Sequence, residues 1–339
     1  MSGNGRVRIG VLGTGATSQL MHLPILTERD DVEVVAVADT DHPKGVAIAG
    51  RFGIPLVLED EELFEMDGVD GIVVCTPNYL HEEQAIAGLK GGKHVLVERP
   101  LALSSQGVQA VLDTARTSGK KVITGMNHRF RPDAVALQAF VAGGELGEIY
   151  AVRGVWLNRK VPLARTTWRQ RPDEAGGGAL MDLGVQALDL CLWLVGCPKL
   201  IRVTATVAGG EFEVEESASL LAETDAGQSV SVEVSWSLFG EGDYRRVRVM
   251  GHEGSGALPP LTVHKQLGGR PLDVTPTQPR PRGGEDTYTN SYRRVLDHFV
   301  RTINGQAEAP LPVDQIHLMA VVEAAYRSAR EGREVTLAD

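Results

Sequence analysis

The segment Ile9-Gly10-Val11-Leu12-Gly13-Thr14-Gly15-Ala16-Thr17-Ser18 places glycines where an apolar run gives way to a helical stretch. Gly13 permits a tight turn there, and Gly15 lets the backbone approach a diphosphate without a side chain in the way. The free N–H groups and the positive end of the following helix would stabilise the anionic oxygens. Ser18 occupies the third position of this pattern and is small enough for close packing of helix on strand. Glycine turns are common, so the pattern means little alone. Asp39 gives it weight, because it closes the second apolar run at the distance expected of a dinucleotide-binding unit. A carboxylate at that place accepts hydrogen bonds from the adenosine ribose hydroxyls and repels a 2′-phosphate, which favours NAD over NADP. The expected cofactor contacts are therefore Gly13, Gly15, Ala16, Thr17 and Asp39.

The elements that must hold these residues can be read from the hydrophobic pattern. Continuous apolar runs at 7–12, 32–38, 71–75, 94–97 and 121–124 suit strands covered on both faces. Helical stretches near 16–29, 43–52, 79–91 and 104–119 lie between them, the last two ended by Gly91-Gly92 and Gly119. Such alternation predicts a parallel, doubly wound sheet over residues 1–127. From 128 to 339 the texture differs. A helix at 132–142 precedes a strand at 149–157, then a loop rich in Arg and Gly, then a helix at 178–195. Residues 200–263 alternate with period two, as a sheet with one wet face requires. The stretch 268–284 holds four Pro and four Gly and reads as a loop or arm. Two helices close the chain, one from Thr287 to Gly305 and one from an Asp314 cap to Gly332. The fold class is α/β, with an N-terminal Rossmann domain and a C-terminal α/β domain.

Bulk composition limits the function. A chain of 339 residues can hold two cores, since single domains usually run to roughly 100–200 residues. Acidic residues outnumber basic ones 44 to 34, for a formal charge of −10, which argues against a nucleic-acid partner. The N-terminus lacks the apolar core of a secretory signal. The apolar helix at 179–195 is interrupted by Asp182, Gln186 and Asp189, so no membrane partner is expected. Cys75, Cys191 and Cys197 show no metal-binding or redox spacing and read as reduced thiols of a cytoplasmic protein.

Several later segments, taken in order, resemble the glucose–fructose oxidoreductase/inositol dehydrogenase (Gfo/Idh/MocA) family across nearly the whole chain. Met21-His22-Leu23-Pro24 is similar to the family's H-x-P. Cys75-Thr76-Pro77-Asn78-Tyr79-Leu80-His81 resembles its turn beside the cofactor. Glu98-Arg99-Pro100 resembles its E-K-P loop with Arg for Lys. Trp168-Arg169, Gly176-Gly177-Gly178 and Asp182-Leu183-Gly184-Val185-Gln186 resemble its W-R…GGG…D-x-G-x-H helix with Gln for His. The resemblance implies an open, mostly antiparallel second sheet that often mediates oligomers, here a homodimer or homotetramer. It implies hydride transfer between NAD and a sugar, cyclic polyol or related carbonyl compound, at the helix after the triple glycine. It adds Thr76, Pro77, Asn78, His81, Glu98 and Arg99 to the cofactor contacts. Arg99, Asp182 and Gln186 fall on the family's catalytic positions, and Lys160, Trp168, Arg169, Asp182 and Gln186 are the expected substrate contacts.

The two replacements alter the chemistry. Oxidation of an alcohol needs a base for the hydroxyl proton. Gln186 has no titratable proton, and Arg99 keeps its charge, though it can stabilise a developing alkoxide. Asp182 is the first candidate for the base, four residues before Gln186 on one helix face. His128 is the second, with a packed structural histidine as its plainer reading. Glu98 is expected to orient its loop and Pro100 to fix it through a cis peptide. A packing or capping role is the default for His81. Arg159, Lys160, Arg165, Arg169 and Arg171 would suit an anionic substituent on the substrate, or be a solvated loop. Two other functions fit the same residues: a redox-neutral enzyme, glycosidase or epimerase, that retains its NAD, and a dinucleotide-binding regulator without chemistry.

Overall fold

The apolar runs of the first part become strands because each is buried on both faces by flanking helices. The computed structural model describes residues 5–161, 166–278 and 284–337. The chain divides into two compact units, the first holding residues up to Asn127 together with Tyr288–Gln315, the second holding His128–Thr287 and the chain from Ile316.

In the first unit, β1 (Val7–Leu12), β2 (Val32–Ala38), β3 (Leu56–Leu58), β4 (Gly71–Val74), β5 (His94–Val97) and β6 (Val122–Thr124) form one parallel sheet. Its order is β3-β2-β1-β4-β5-β6, as a doubly wound fold requires. β1 pairs with both β2 and β4, so the strand order reverses around it and opens a crevice at its C-terminal end. β3 was not expected from the sequence: it is three residues long, with Leu56 exposed, too short for a periodic signal.

Residues 288–315 depart from a simple division at 127/128. The helix Thr287–Ile303 belongs with the first sheet, burying Tyr292, Val295, Leu296, Phe299 and Val300. A Cβ on Gly71 of β4 would lie 2.7 Å from Ile303 Cδ1 and 2.9 Å from Phe299 Cζ, so glycine there lets the helix pack directly on the strand. Sequence position gave no sign of this return, since it is a tertiary pairing.

The second unit is a nine-stranded sheet of β7 (Ile149–Arg159), β8 (Leu200–Ala208), β9 (Ser217–Thr224), β10 (Ser229–Leu238), β11 (Tyr244–Gly251), β12 (Gly254–Leu258), β13 (Thr262–Leu267), β14 (Arg270–Asp273) and β15 (Val335–Thr336). The order is β14-β13-β12-β11-β7-β10-β9-β8-β15, antiparallel except for β7 beside β10. β14 corrects the reading of 268–284 as loop: Gly268 and Gly269 supply a two-residue hairpin turn at positive φ, and β14 then pairs with β13. Residues 279–283 of that stretch lie outside the described residues. Along β9 and β10, Ala218, Leu220, Ala222, Val230, Val232 and Val234 are buried while their neighbours are wetter. The buried face meets the helix Val185–Leu194, and a Cβ on Gly154 of β7 would lie 3.0 Å from Cys191 Sγ. The segment Pro172–Leu194 is apolar and long enough to cross a membrane, yet 83% of its apolar window is buried inside the protein, the place of a core helix.

Candidate functional site

The dinucleotide half is built at the C-terminal end of β1. Gly13 has φ +82°, and a Cβ there would lie 2.8 Å from the Cys75 carbonyl oxygen, so both backbone and space demand glycine. Gly15 is different: nothing in the protein lies within 4 Å of where its Cβ would be. Packing does not require a glycine at 15, whereas a ligand pressed against the backbone does. The helix opens at Ala16, and Ser18 is fully buried. Thr14, also fully buried, donates to Asp39 Oδ2 from both its backbone N and its Oγ1, each at 2.7 Å. Lys44 Nζ approaches the same oxygen at 2.8 Å, and Asp41 N donates to Oδ1 at 2.9 Å. Partial burial pushes the Asp39 carboxyl up, but Lys44, Thr14 and Asp41 outweigh it and hold the group below the usual carboxylate range. The backbone cradle at Gly15 and the ionised Asp39 fit an NAD diphosphate and ribose.

Behind this turn, three loops are tied together. His22 Nε2 and Glu98 Oε1 are 2.7 Å apart, both side chains buried, and the Tyr292 ring packs edge-on against the imidazole. Burial works against the imidazolium, but the neighbouring Cys75 and Glu98 raise His22 to about 10. Burial also pushes the Cys75 thiol up, against the opposing pull of the neighbouring His22. Glu98 in turn, although buried, is held below its ordinary value by His22 and Arg99. His81 lies between two carbonyls, Nδ1 at 2.7 Å from Pro100 O and Nε2 at 2.9 Å from Thr76 O. Two acceptors favour a doubly protonated ring, but burial is the larger influence and lowers its pKa. Thr76 Oγ1 donates to Gln84 Oε1 at 2.5 Å, and Asn78, buried, opens the short turn Asn78–Leu80. The Arg99–Pro100 peptide is cis.

The second half belongs to the second unit, where a cavity of about 240 Å³ is lined by Lys160, Arg169, Asp182, Phe212, Glu216 and Trp236 among others. Asp182 sits in a π-turn, Leu180–Gly184, and its Oδ2 accepts the Trp236 indole N–H at 3.1 Å. The turn is anchored by Glu215, whose carboxylate accepts Gly178 N and Leu180 N, both at 2.9 Å, and the Tyr326 hydroxyl at 2.8 Å. A Cβ on Gly178 would collide with Glu215 O, and one on Gly177 with the Tyr326 hydroxyl, which explains two of the three consecutive glycines. Lys160 Nζ pairs with Glu211 at 2.6 Å and lies over the Phe239 ring, and Glu211 raises its pKa. Glu216 accepts Ser237 Oγ and Glu211 N, and is held low first by that hydroxyl.

A family model described as an oxidoreductase family with an NAD-binding Rossmann fold matches residues 7–126, and the GFO/IDH/MocA C-terminal domain matches residues 134–256. The chain belongs to the Gfo/Idh/MocA family. It is 35% identical to a putative UDP-kanosamine synthase oxidoreductase subunit of Amycolatopsis mediterranei (strain S699), over 74% of this chain and 75% of that one. It is 26% identical to the D-glucoside 3-dehydrogenase of Escherichia coli (strain K12), covering 98% and 97% of the two chains. Among solved structures, GenD2 from gentamicin A biosynthesis, in complex with NAD, superposes with a TM-score of 0.85 at 29% identity, over 99% of this chain and 97% of that one. This member of the family is an oxidoreductase whose cofactor is NAD.

Several residues singled out in the sequence have other work in this Gfo/Idh/MocA chain. His128 is buried with its ring 4.6 Å from that of Trp156, and it is not among the residues lining the cavity. Its site is a packed core position, since the strand residue beneath it is aromatic. Gln186 is 6% exposed and donates from Nε2 to Asp182 O at 2.8 Å, so it braces the π-turn from within. His81 and Glu98 give their polar atoms to the protein's own loops, and so are positioning residues for the turn expected to bear the cofactor. Trp168 carries the Arg169 guanidinium 4.3 Å above its ring, and Arg169 is the member of the pair on the cavity wall. Asp189, one of the three polar residues that interrupt the apolar helix, accepts two bonds from Arg129 at 2.8 and 2.5 Å. Arg171 pairs with Glu174 at 2.9 Å, and Arg165 lies outside the described residues. Thr14, Lys44, Glu215, Glu216 and Trp236 were missed by the sequence reading. Thr14 could have been found, as it lies between the two glycines of the fingerprint. The others depend on contacts far along the chain.

Proposed function

We propose that this chain oxidises a hydroxyl of a neutral sugar or cyclic polyol, with Asp182 as the base. Bound NAD supplies the hydride acceptor. The observation that carries the reading is Asp182, held by Trp236 on the wall of a cavity in the GFO/IDH/MocA C-terminal domain. As the substrate's C–H bond gives up its hydride, the carboxylate of Asp182 takes the hydroxyl proton and the oxygen becomes a carbonyl. Gln186 positions the Asp182 turn through its carbonyl, and Arg169 and Lys160 donate to substrate hydroxyls. Arg159, Lys160 and Arg169 on the wall are balanced by Asp182, Glu211 and Glu216, three cations against three carboxylates, which suits a neutral polyhydroxylated ligand better than an anion. The relatives named above include a glucoside dehydrogenase, and that agrees with a sugar substrate.

The test is a panel of sugars and polyols with NAD, followed by formation of reduced nicotinamide, on the parent protein and on Asp182→Asn. Loss of the base should lower kcat by about 100-fold or more with the NAD affinity unchanged. Undiminished turnover by Asp182→Asn would remove Asp182 from this role. NAD bound without turnover of any polyol would refute the reaction itself.

A further inference from the structure

β10 carries an extra residue near its end. Ser235 pairs with Leu157 of β7 and Leu238 with Arg159, so β10 advances three residues where β7 advances two. A bulge of this kind re-aims side chains that a regular strand would send to opposite faces. Trp236 and Ser237, although consecutive, accordingly both line the cavity that holds Asp182. Phe239 follows two residues on. It is 86% exposed, the most exposed large apolar side chain among the described residues. A lone apolar residue in water needs no account of its own. Phe239 differs in being held in place beside the cavity. β7 lies between β10 and β11, so the connection carrying Phe239 passes the end of β7. Lys160 N donates to Leu238 O at 2.9 Å and Arg159 N to Asp243 Oδ1 at 2.8 Å, which pins that connection on both sides of Phe239. Lys160 Nζ, paired with Glu211 at 2.6 Å, lies 5.7 Å from the centre of the Phe239 ring. Arg159, Lys160 and Glu211 are themselves on the cavity wall, so the ring stands at the rim and is oriented from it.

The cavity, at about 240 Å³, suits one pyranose ring and falls short of the roughly 300–1,000 Å³ that encloses larger ligands. A second ring joined to the first must therefore lie outside, at the rim. An open aromatic face is the right surface for it there, because the ring's negative face attracts the slightly positive C–H groups of a sugar. Holding Phe239 in advance also lowers the cost of ordering it on binding. We propose that Phe239 is a stacking platform and that the substrate is a glycoside of at least two rings. One ring is oxidised beside Asp182 while the next rests on Phe239. The inference rests on the reading of Asp182 and its cavity as the reacting centre, and it narrows the substrate from sugars in general to glycosides.

The experiment compares initial rates with NAD on sugars of one ring (glucose, galactose, myo-inositol) and of two (maltose, cellobiose, lactose, melibiose). It uses the whole protein as parent, Phe239→Ala and Phe239→Trp, with melting curves and sedimentation of each. The parent is expected to favour its best two-ring sugar over its best one-ring sugar by about tenfold in kcat/KM. In Phe239→Ala that ratio should fall to within about twofold, the loss lying in KM and not in kcat. Phe239→Trp should keep the ratio. A parent that oxidises one-ring sugars as well as two-ring ones, or a ratio in Phe239→Ala equal to the parent's, overturns the platform. So does a change in sedimentation with the ratio intact, which would make Phe239 a contact between copies of the chain. If the folded parent binds NAD and oxidises no sugar of either kind, the reading of the cavity falls and takes the platform with it.

Discussion

His22 and Glu98 form a buried acid–base pair, and its energetics are set by which partners remain charged. The pair is 2.7 Å apart with both side chains out of water, a setting in which removing one partner strands the other's charge. His22→Gln should therefore destabilise the first unit by about 3–5 kcal/mol near pH 6.5, read by urea denaturation. The pH dependence has a definite sign. The folded pKa of His22 is raised from 6.5 to about 10, so its contribution is complete below pH 6.5 and fades as pH climbs toward 10. Glu98 is lowered from 4.5, so its contribution is present above that value and fades on acidification through the lowered one. Stability should fall between pH 6.5 and 10 in the parent, and this slope should flatten in His22→Gln. Equal slopes in the two proteins would show that His22 is not protonated in the folded state. None of this was legible from sequence. The motif around His22 resembled a family pattern, but the partner 76 positions away is a product of the sheet order.

At the scale of elements, the triple glycine and the turn it opens show what pattern can and cannot reveal. The spacing of Asp182 and Gln186 predicted one helix face, and the bond from Gln186 Nε2 to Asp182 O confirms their adjacency. The π-turn at Leu180–Gly184 was not foreseen, because apolar periodicity does not distinguish one wide turn from the helix around it. Nor was Glu215, which lies on a loop with no local sequence signal yet accepts three donors from the glycine segment and Tyr326. The fold class came through because it depends on apolar runs and glycine stops, both local. The clamp that aims Asp182 did not, because it depends on backbone meeting backbone across the unit. That close approach makes a prediction. Gly178→Ala drives a methyl into Glu215 O, where backbone and not a flexible side chain must give way. The turn should shift, with turnover reduced by about 100-fold and NAD affinity kept within a factor of about two. Full activity in this variant would mean that the Asp182 turn tolerates displacement and is not the reacting centre.

At the scale of the molecule, the two units are not two halves of the sequence. The chain leaves the first unit at Asn127, builds most of the second, and returns with Tyr288–Gln315 before ending in the second. The returning helix fills a defined place in the first unit: Phe299 is wholly buried, Gly71 leaves room for it, and Asn127 Nδ2 donates to Ser291 Oγ at 2.9 Å. Burying a side chain of this size is worth roughly 1.5–3 kcal/mol, and five large or branched residues of that helix are buried together. That total is comparable with the whole stability of a small domain, about 5–15 kcal/mol. The fragment 1–127 expressed alone should therefore fail to reach a cooperative fold, while 1–127 joined to 288–315 through a short flexible linker should melt cooperatively and bind NAD. Circular dichroism melting curves and calorimetry separate the two. A cooperative, NAD-binding 1–127 fragment would show that the sequence's own boundary at 127 is already an autonomous unit. The returning helix would then be an accessory to that unit, and the buried face it presents would have to be explained some other way.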